Sequence, residues 1–143
     1  MTAEQTAPRR RSIWIWLIAI FYVLSGVWTA LSYYLILSGT LRVDSAQQAY
    51  LQSFTAFDYV ATVGLGLLNL AAAVVLFLLR RTALYLFLVS LGLELLLLVW
   101  HAAAKGWVEA VGGSGMLGYF IGLALQIVVC LYVWRQVQNG TLR

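Results

Sequence analysis

The stretch "LGLELLLLVWHAAAKG", residues 91 to 106, puts one carboxylic acid, Glu94, inside a run of leucines and a histidine, His101, further along the same run. A carboxyl group at such a place has three uses: relaying a proton or cation, binding a ligand, or packing as a neutral hydrogen-bonded group. An ionised side chain near the centre of a bilayer costs at least about 2.5 to 3.5 kcal/mol on insertion scales. The protonated form is therefore the cheaper one, and Glu94 is expected to need polar partners at its own depth.

Depth follows from the helical rise of about 1.5 Å per residue, counted from the arginines at the ends of the apolar stretches. Glu94 comes out about 20 Å from Arg81, Asn69 and Tyr22 about 16 Å, Ser25 about 21 Å, and Ser90 and Gln126 about 13 Å. Every apolar stretch thus contributes a polar residue to one layer near mid-bilayer. Glu94, Ser90, Tyr22, Ser25, Asn69 and Gln126 form the candidate intramembrane polar site. His101 shares a helical face with Glu94 but stands about 10 Å along the axis from it, and Lys105 is further still. Asp58 falls about 33 Å from Arg80, at the opposite interface, where a carboxylate costs little and reads as an ordinary boundary charge. His101 reads as a boundary histidine at headgroup level. His101 and Asp58 are kept as possible contributors on that outer side. Asn69 and Gln126 are most simply interhelical glue.

These residues need helices to hold them. Of 143 residues 63% are hydrophobic and 10% charged, against about 25% charged in a soluble domain, so the chain reads as an integral membrane protein. Four stretches approach the roughly 20 apolar residues a spanning helix needs: 13–37, 59–79, 82–101 and about 115–134. The expected fold is an all-α antiparallel bundle of four transmembrane helices, with tails at 1–12 and 135–143. The first span has a basic front, "PRRR", but its apolar core is longer than that of a signal peptide, which is roughly 7 to 15 residues. It is read as a retained anchor. Arg9, Arg10, Arg11, Arg80, Arg81 and Arg135 collect on one side, so the positive-inside rule places both termini and the "RR" turn in the cytoplasm. Trp14, Trp16, Tyr132 and Trp134 would form the aromatic belt on that side, and Tyr33, Tyr34, Trp100 and Trp107 the other. The arginine-rich basic set also hints at a bacterial source, hence a bacterial inner membrane.

Before the second span, Asp44 and Gln47 have the capping-box spacing. Tyr50, Phe54 and Phe57 recur on one helical face. A short amphipathic helix is expected there. On the fourth span Ser114, Gly118, Gly122, Gln126 and Cys130 repeat at every fourth position. Gly118-x-x-x-Gly122 is a small-residue pattern that lets helices approach closely, and these faces are expected to point inward. "KGWVEAVGGSG" separates the third and fourth spans, and the glycines around "VGGSGMLG" (111–118) read as a flexible entry to the fourth.

Enzymatic motifs are absent: there is no paired-carboxylate motif, no HExxH, no nucleophile elbow, no phosphate loop and no metal cluster, so neither catalysis nor a cofactor or metal is expected. One cysteine, Cys130, excludes paired-cysteine chemistry within a chain, and one histidine cannot supply two haem ligands. Four helices around one membrane carboxylate resemble small multidrug exporters in layout. Those proteins carry their glutamate in the first helix within a local motif, whereas here it stands in the third without one. Two functions follow. The first is an accessory or interaction subunit of a larger membrane assembly, or a lipid- or partner-binding bundle. The second is a proton-coupled small-molecule transporter working as an oligomer through Glu94. The expected partners are the lipid bilayer and either further copies of the chain or a larger membrane protein. The net charge of +4 needs no nucleic acid.

Overall fold

The computed structural model describes residues 12–40, 44–140 and 142. The tail up to Arg11 with its three arginines, Arg42, and the Ser114 side chain lie outside the described residues. Where described, the chain is helical: α1 (Ile13–Leu37), α2 (Ser45–Gln52), α3 (Ala56–Phe77), α4 (Thr82–Ala104) and α5 (Trp107–Gln138). Four helices are long and apolar enough to cross a membrane, Ile13–Ile36, Ala56–Phe77, Thr82–Ala104 and Gly115–Gln138, which by length and composition suits a multi-pass membrane protein. Helix is what such sequences must form in lipid, because every backbone N–H and C=O has to be satisfied within the segment.

The boundaries shift where local chemistry overrides hydropathy. α3 starts at Ala56 rather than Tyr59, because the Thr55 N–H and hydroxyl both donate to Asp58 Oδ2, at 2.6 and 2.7 Å, and tie the first turn. The expected capping box on α2 does not form: Asp44 stands at the N-cap, but its side chain makes no capping bond. α2 ends at Gln52, so Phe54 and Phe57 lie beyond it. The connection before the fourth span is helical from Trp107, and the glycines read as a flexible entry lie inside α5, where the helix breaks at Gly112 (φ 65°, ψ 177°). That conformation is essentially restricted to glycine, which is why the helix turns a corner there.

α1 packs on α3, α3 on α4 and α4 on α5, with α2 against α5. The α3–α4 hairpin closes through Leu79 at φ 58°. Arg81 Nε donates to the Leu142 carbonyl at 2.9 Å, which brings the C-terminal end back to the Arg80–Arg81 turn. Ile15 and Ile18 of α1 share a buried cluster with Leu142. The start of α1, the α3–α4 turn and the end of α5 therefore meet at one end of the bundle, here called the arginine end.

Packing is uneven along the axis. The core consists of Ile15, Ile18 and Tyr22 of α1, Ala72, Ala73 and Leu76 of α3, Ala83 and Phe87 of α4, Val129, Cys130 and Val133 of α5, and Leu142, all in the half toward the arginine end. At the far end Asp58, His101, Trp107 and Ala110 are buried. Between the two lies an unpacked zone. No described residue is buried in 23–36 of α1, 59–71 of α3, 91–100 of α4 or 111–125 of α5. Glu94 lies in that zone.

Candidate functional site

Polar chemistry is concentrated at two levels. The first closes the packed half. Ser90 Oγ donates to Asn69 Oδ1 at 2.5 Å, Gln126 Nε2 donates to Ser90 Oγ at 3.3 Å and to Asn69 Oδ1 at 3.5 Å, and the Tyr22 hydroxyl donates to Gln126 Oε1 at 3.4 Å. One residue from each spanning helix takes part, so this layer is where α1, α3, α4 and α5 are tied across the bundle. Interhelical hydrogen bonds of this kind contribute about 0.6 kcal/mol each, up to about 1.7 kcal/mol.

The structure brings together four of the six residues expected in the intramembrane site and leaves two apart. Ser25 is exposed on α1, one turn beyond Tyr22. Glu94 is half-buried one turn beyond Ser90, yet makes no hydrogen bond to Ser90, Tyr22, Asn69 or Gln126. Its Oε2 is buried without a partner among the described residues. The nearby polar groups within electrostatic range are the Tyr22 and Tyr119 hydroxyls. The expectation that the layer matches Glu94 is thus corrected: Asn69, Ser90 and Gln126 bond to one another, and none of them donates to it.

The small-residue stripe is corrected too. Gly118 and Gly122 are exposed, and a Cβ added at either would meet nothing within 4 Å. They do not draw helices together within this chain. The reason lies in the hydrogen-bonded layer. Tyr22 and Gln126 hold α1 to α5 at one level; beyond it, the continuations of the same two stripes, Ser25 and Thr29 on α1 and Gly122 and Gly118 on α5, are exposed. Neither stripe is covered beyond that bond, so the α1–α5 seam stands open there.

The second level closes the far end. Asp58 is no exposed boundary charge: it is only 1% exposed. Lys105 Nζ donates to its Oδ2 and also to the Ser53 carbonyl at 2.8 Å, while His101 Nε2 lies 3.2 Å from Oδ1. Counting Thr55, both carboxylate oxygens are engaged. Tyr50 Oη lies 3.4 Å from His101 Nδ1, and burial pushes the Tyr50 phenol up to about 12, so the neutral hydroxyl is present. That hydroxyl can donate to Nδ1 in the tautomer that presents its Nε2 proton to Asp58. Phe54 stacks on the imidazole, with ring centroids 5.5 Å apart. Lys105 Nζ stands 5.6 Å above the same Phe54 ring. His101 is therefore buried rather than lodged among headgroups. The cluster locks the ends of α3 and α4 to the α2–α3 connection, and every member is spent on another.

Lys105 is the member that sequence reasoning missed. The signal was present in the hairpin: Asp58 precedes the Arg80–Arg81 turn by nearly the same length of chain as His101 and Lys105 follow it. In a tight antiparallel pair those positions face one another. Among the described residues no three His, Cys, Asp or Glu side chains converge as metal ligands. Comparison with protein families, with curated proteins and with solved structures found no match for this chain.

Proposed function

We propose that this chain is a small multi-pass inner-membrane protein, both termini cytoplasmic, that acts as an accessory or interaction subunit and is completed by a partner in the membrane. One observation carries the reading. The bundle is packed at the arginine end and locked at the far end, but in between it buries no described residue and leaves Glu94 Oε2 without a donor. A buried oxygen with no partner costs about 1 to 3 kcal/mol, and in lipid no water stands in for one. A helix from a larger membrane protein, or from a second copy, laid along the α1–α5 seam would meet exposed Ser25, Thr29, Gly118 and Gly122 and supply the missing donor. Small residues are what membrane helices use for such close approach.

The test is disulfide and photo-crosslinking in native membranes from Ser25→Cys and Gly122→Cys, each in a Cys130→Ala background, with complex size read by native electrophoresis. Adducts at both positions, and a complex that Gly122→Trp disperses, are expected. A chain that stays monomeric with no adduct at either position refutes the reading.

The same carboxylate favours one further reading, proton-coupled transport by an oligomer. Infrared titration of Glu94 against Glu94→Gln separates the two. A carboxyl titrating between about pH 6 and 8, the range of a working acid–base group, supports transport. A carboxyl that stays protonated throughout supports the interaction subunit.

A further inference from the structure

On the packed side of the Tyr22–Gln126 bond, the α1–α5 seam is a groove of about 380 Å³. Leu17, Ile18 and Phe21 line it from α1, and Leu125, Val128 and Val129 from α5, with Trp14 and Tyr132 at its arginine end. It opens sideways, toward what would be the hydrocarbon of the membrane. Apolar walls alone do not select an occupant there, because lipid tails are as apolar as the walls. Selection has to come from the polar end, and three features meet at that end.

The first is Tyr132 Oη, which is buried and has no hydrogen-bond partner among the described residues. The second is cationic charge: Arg135 follows one turn after Tyr132 on α5, and Arg80 and Arg81 form the neighbouring turn. The third is that no acidic side chain among the described residues meets that charge. The acidic residues of the described chain are Asp44, Asp58, Glu94 and Glu109, and none lies at the arginine end. Among the described residues the ion pairs are all made by Asp58 at the far end. An apolar channel for one chain, a hydroxyl without a partner and arginines outside any ion pair, all among the described residues and toward one end of the bundle, fit one class of molecule.

We propose that the arginine-end half of the α1–α5 seam is a binding site for an anionic phospholipid, with one acyl chain in the groove and the phosphate at the level of Tyr132 and Arg135. From Tyr132 to Leu125 the groove runs about 10 Å along α5, so it takes the headgroup-proximal part of the chain. The Tyr22–Gln126 bond closes its upper end. The site rests on the membrane-spanning reading of the four helices and not on any partner for Glu94.

The experiment is native mass spectrometry of the full chain in mixed micelles containing equal phosphatidylglycerol and phosphatidylcholine. Each basic residue at a membrane surface favours anionic lipid by somewhat less than a factor of ten, so phosphatidylglycerol is expected to be retained by roughly tenfold over phosphatidylcholine. Val128→Trp, which fills the groove from an exposed position, should abolish retention. Tyr132→Phe and Arg135→Gln should each lower the preference several-fold while secondary structure is unchanged. Quenching of Trp14 by phosphatidylglycerol brominated on the chain near the headgroup, lost in Trp14→Phe, gives a second measure that uses no groove-filling variant. Equal retention of the two lipids, or quenching that does not differ between them, overturns the proposal. So does a protein–protein adduct at Val128→Cys in place of lipid. Glu94→Gln should leave lipid retention unchanged, so this site and the partner seam fail separately.

Discussion

Asp58→Asn tests the far-end lock most directly. The native carboxylate is 1% exposed and takes donors from Thr55, Lys105 and His101. The amide keeps the shape but removes the charge, leaving the Lys105 ammonium enclosed without its counter-ion and with only neutral acceptors, the amide oxygen and the Ser53 carbonyl. Breaking a buried pair by removing one partner costs about 3 to 5 kcal/mol. The cluster lies at the ends of the helices, within reach of the interface, so the lower figure applies. Lys105→Met alone leaves Asp58 with Thr55 and His101 and should cost about 2 kcal/mol, the value of one hydrogen bond to a charged group. The double variant removes both charges, so its cost should fall short of the sum by about 2 kcal/mol, within the range of coupled neighbours. Unfolding can be followed through Cys130, the single cysteine, which is buried in the packed half and reacts with thiol reagents only when that half opens. A cost below about 1 kcal/mol for Asp58→Asn, typical of exposed pairs, would refute the argument. So would two effects that simply add.

Ser90→Ala removes one bond to Asn69 and one from Gln126 and should cost about 1 to 2 kcal/mol in the same assay. Replacement of Gly112 by alanine forces a Cβ into a conformation that costs about 1 to 3 kcal/mol; a straightened α5, seen as changed Trp107 fluorescence, is the expected relief. Tyr50 contributes a pH limit. Its folded phenol lies at about 12 against an ordinary value of 10.0, so the neutral form is favoured by the fold. That contribution to stability is complete below about pH 10, the unfolded value, and is lost as pH rises through the folded one. In Tyr50→Phe the alkaline loss should shrink in pH-dependent melts, and an unchanged profile would remove Tyr50 from the lock.

Residue order and composition were enough to establish helices, their number of apolar spans and the depth of each polar group. Those quantities depend on the fixed rise of a helix and on the cost of unsatisfied backbone in lipid, both local properties. Depth alone also placed Tyr22, Asn69, Ser90 and Gln126 in one layer. The tight turn at Arg80–Arg81 makes the pairing a matter of counting outward: Asn69 and Ser90 stand at nearly equal separations on either side of it, and the two are bonded. The same count pairs Asp58 with His101 and Lys105. Depth by itself hides that pairing, because a charge at the level of an interface can be either exposed to water or enclosed by its neighbours.

Other features needed the tertiary structure. Helical periodicity states which residues share a stripe, but not how far away the facing helix lies. The stripes of Ser25 and Thr29 and of Gly118 and Gly122 continue those of Tyr22 and Gln126, yet they are exposed, because no neighbouring helix covers them past that bond. Glu94 sits at the level of its supposed partners and is still left without one, because Asn69, Ser90 and Gln126 bond among themselves and nearness along the axis does not by itself aim a donor at it. Angles between helices and the pairing of polar groups are set by the whole bundle at once, and no single helix encodes them.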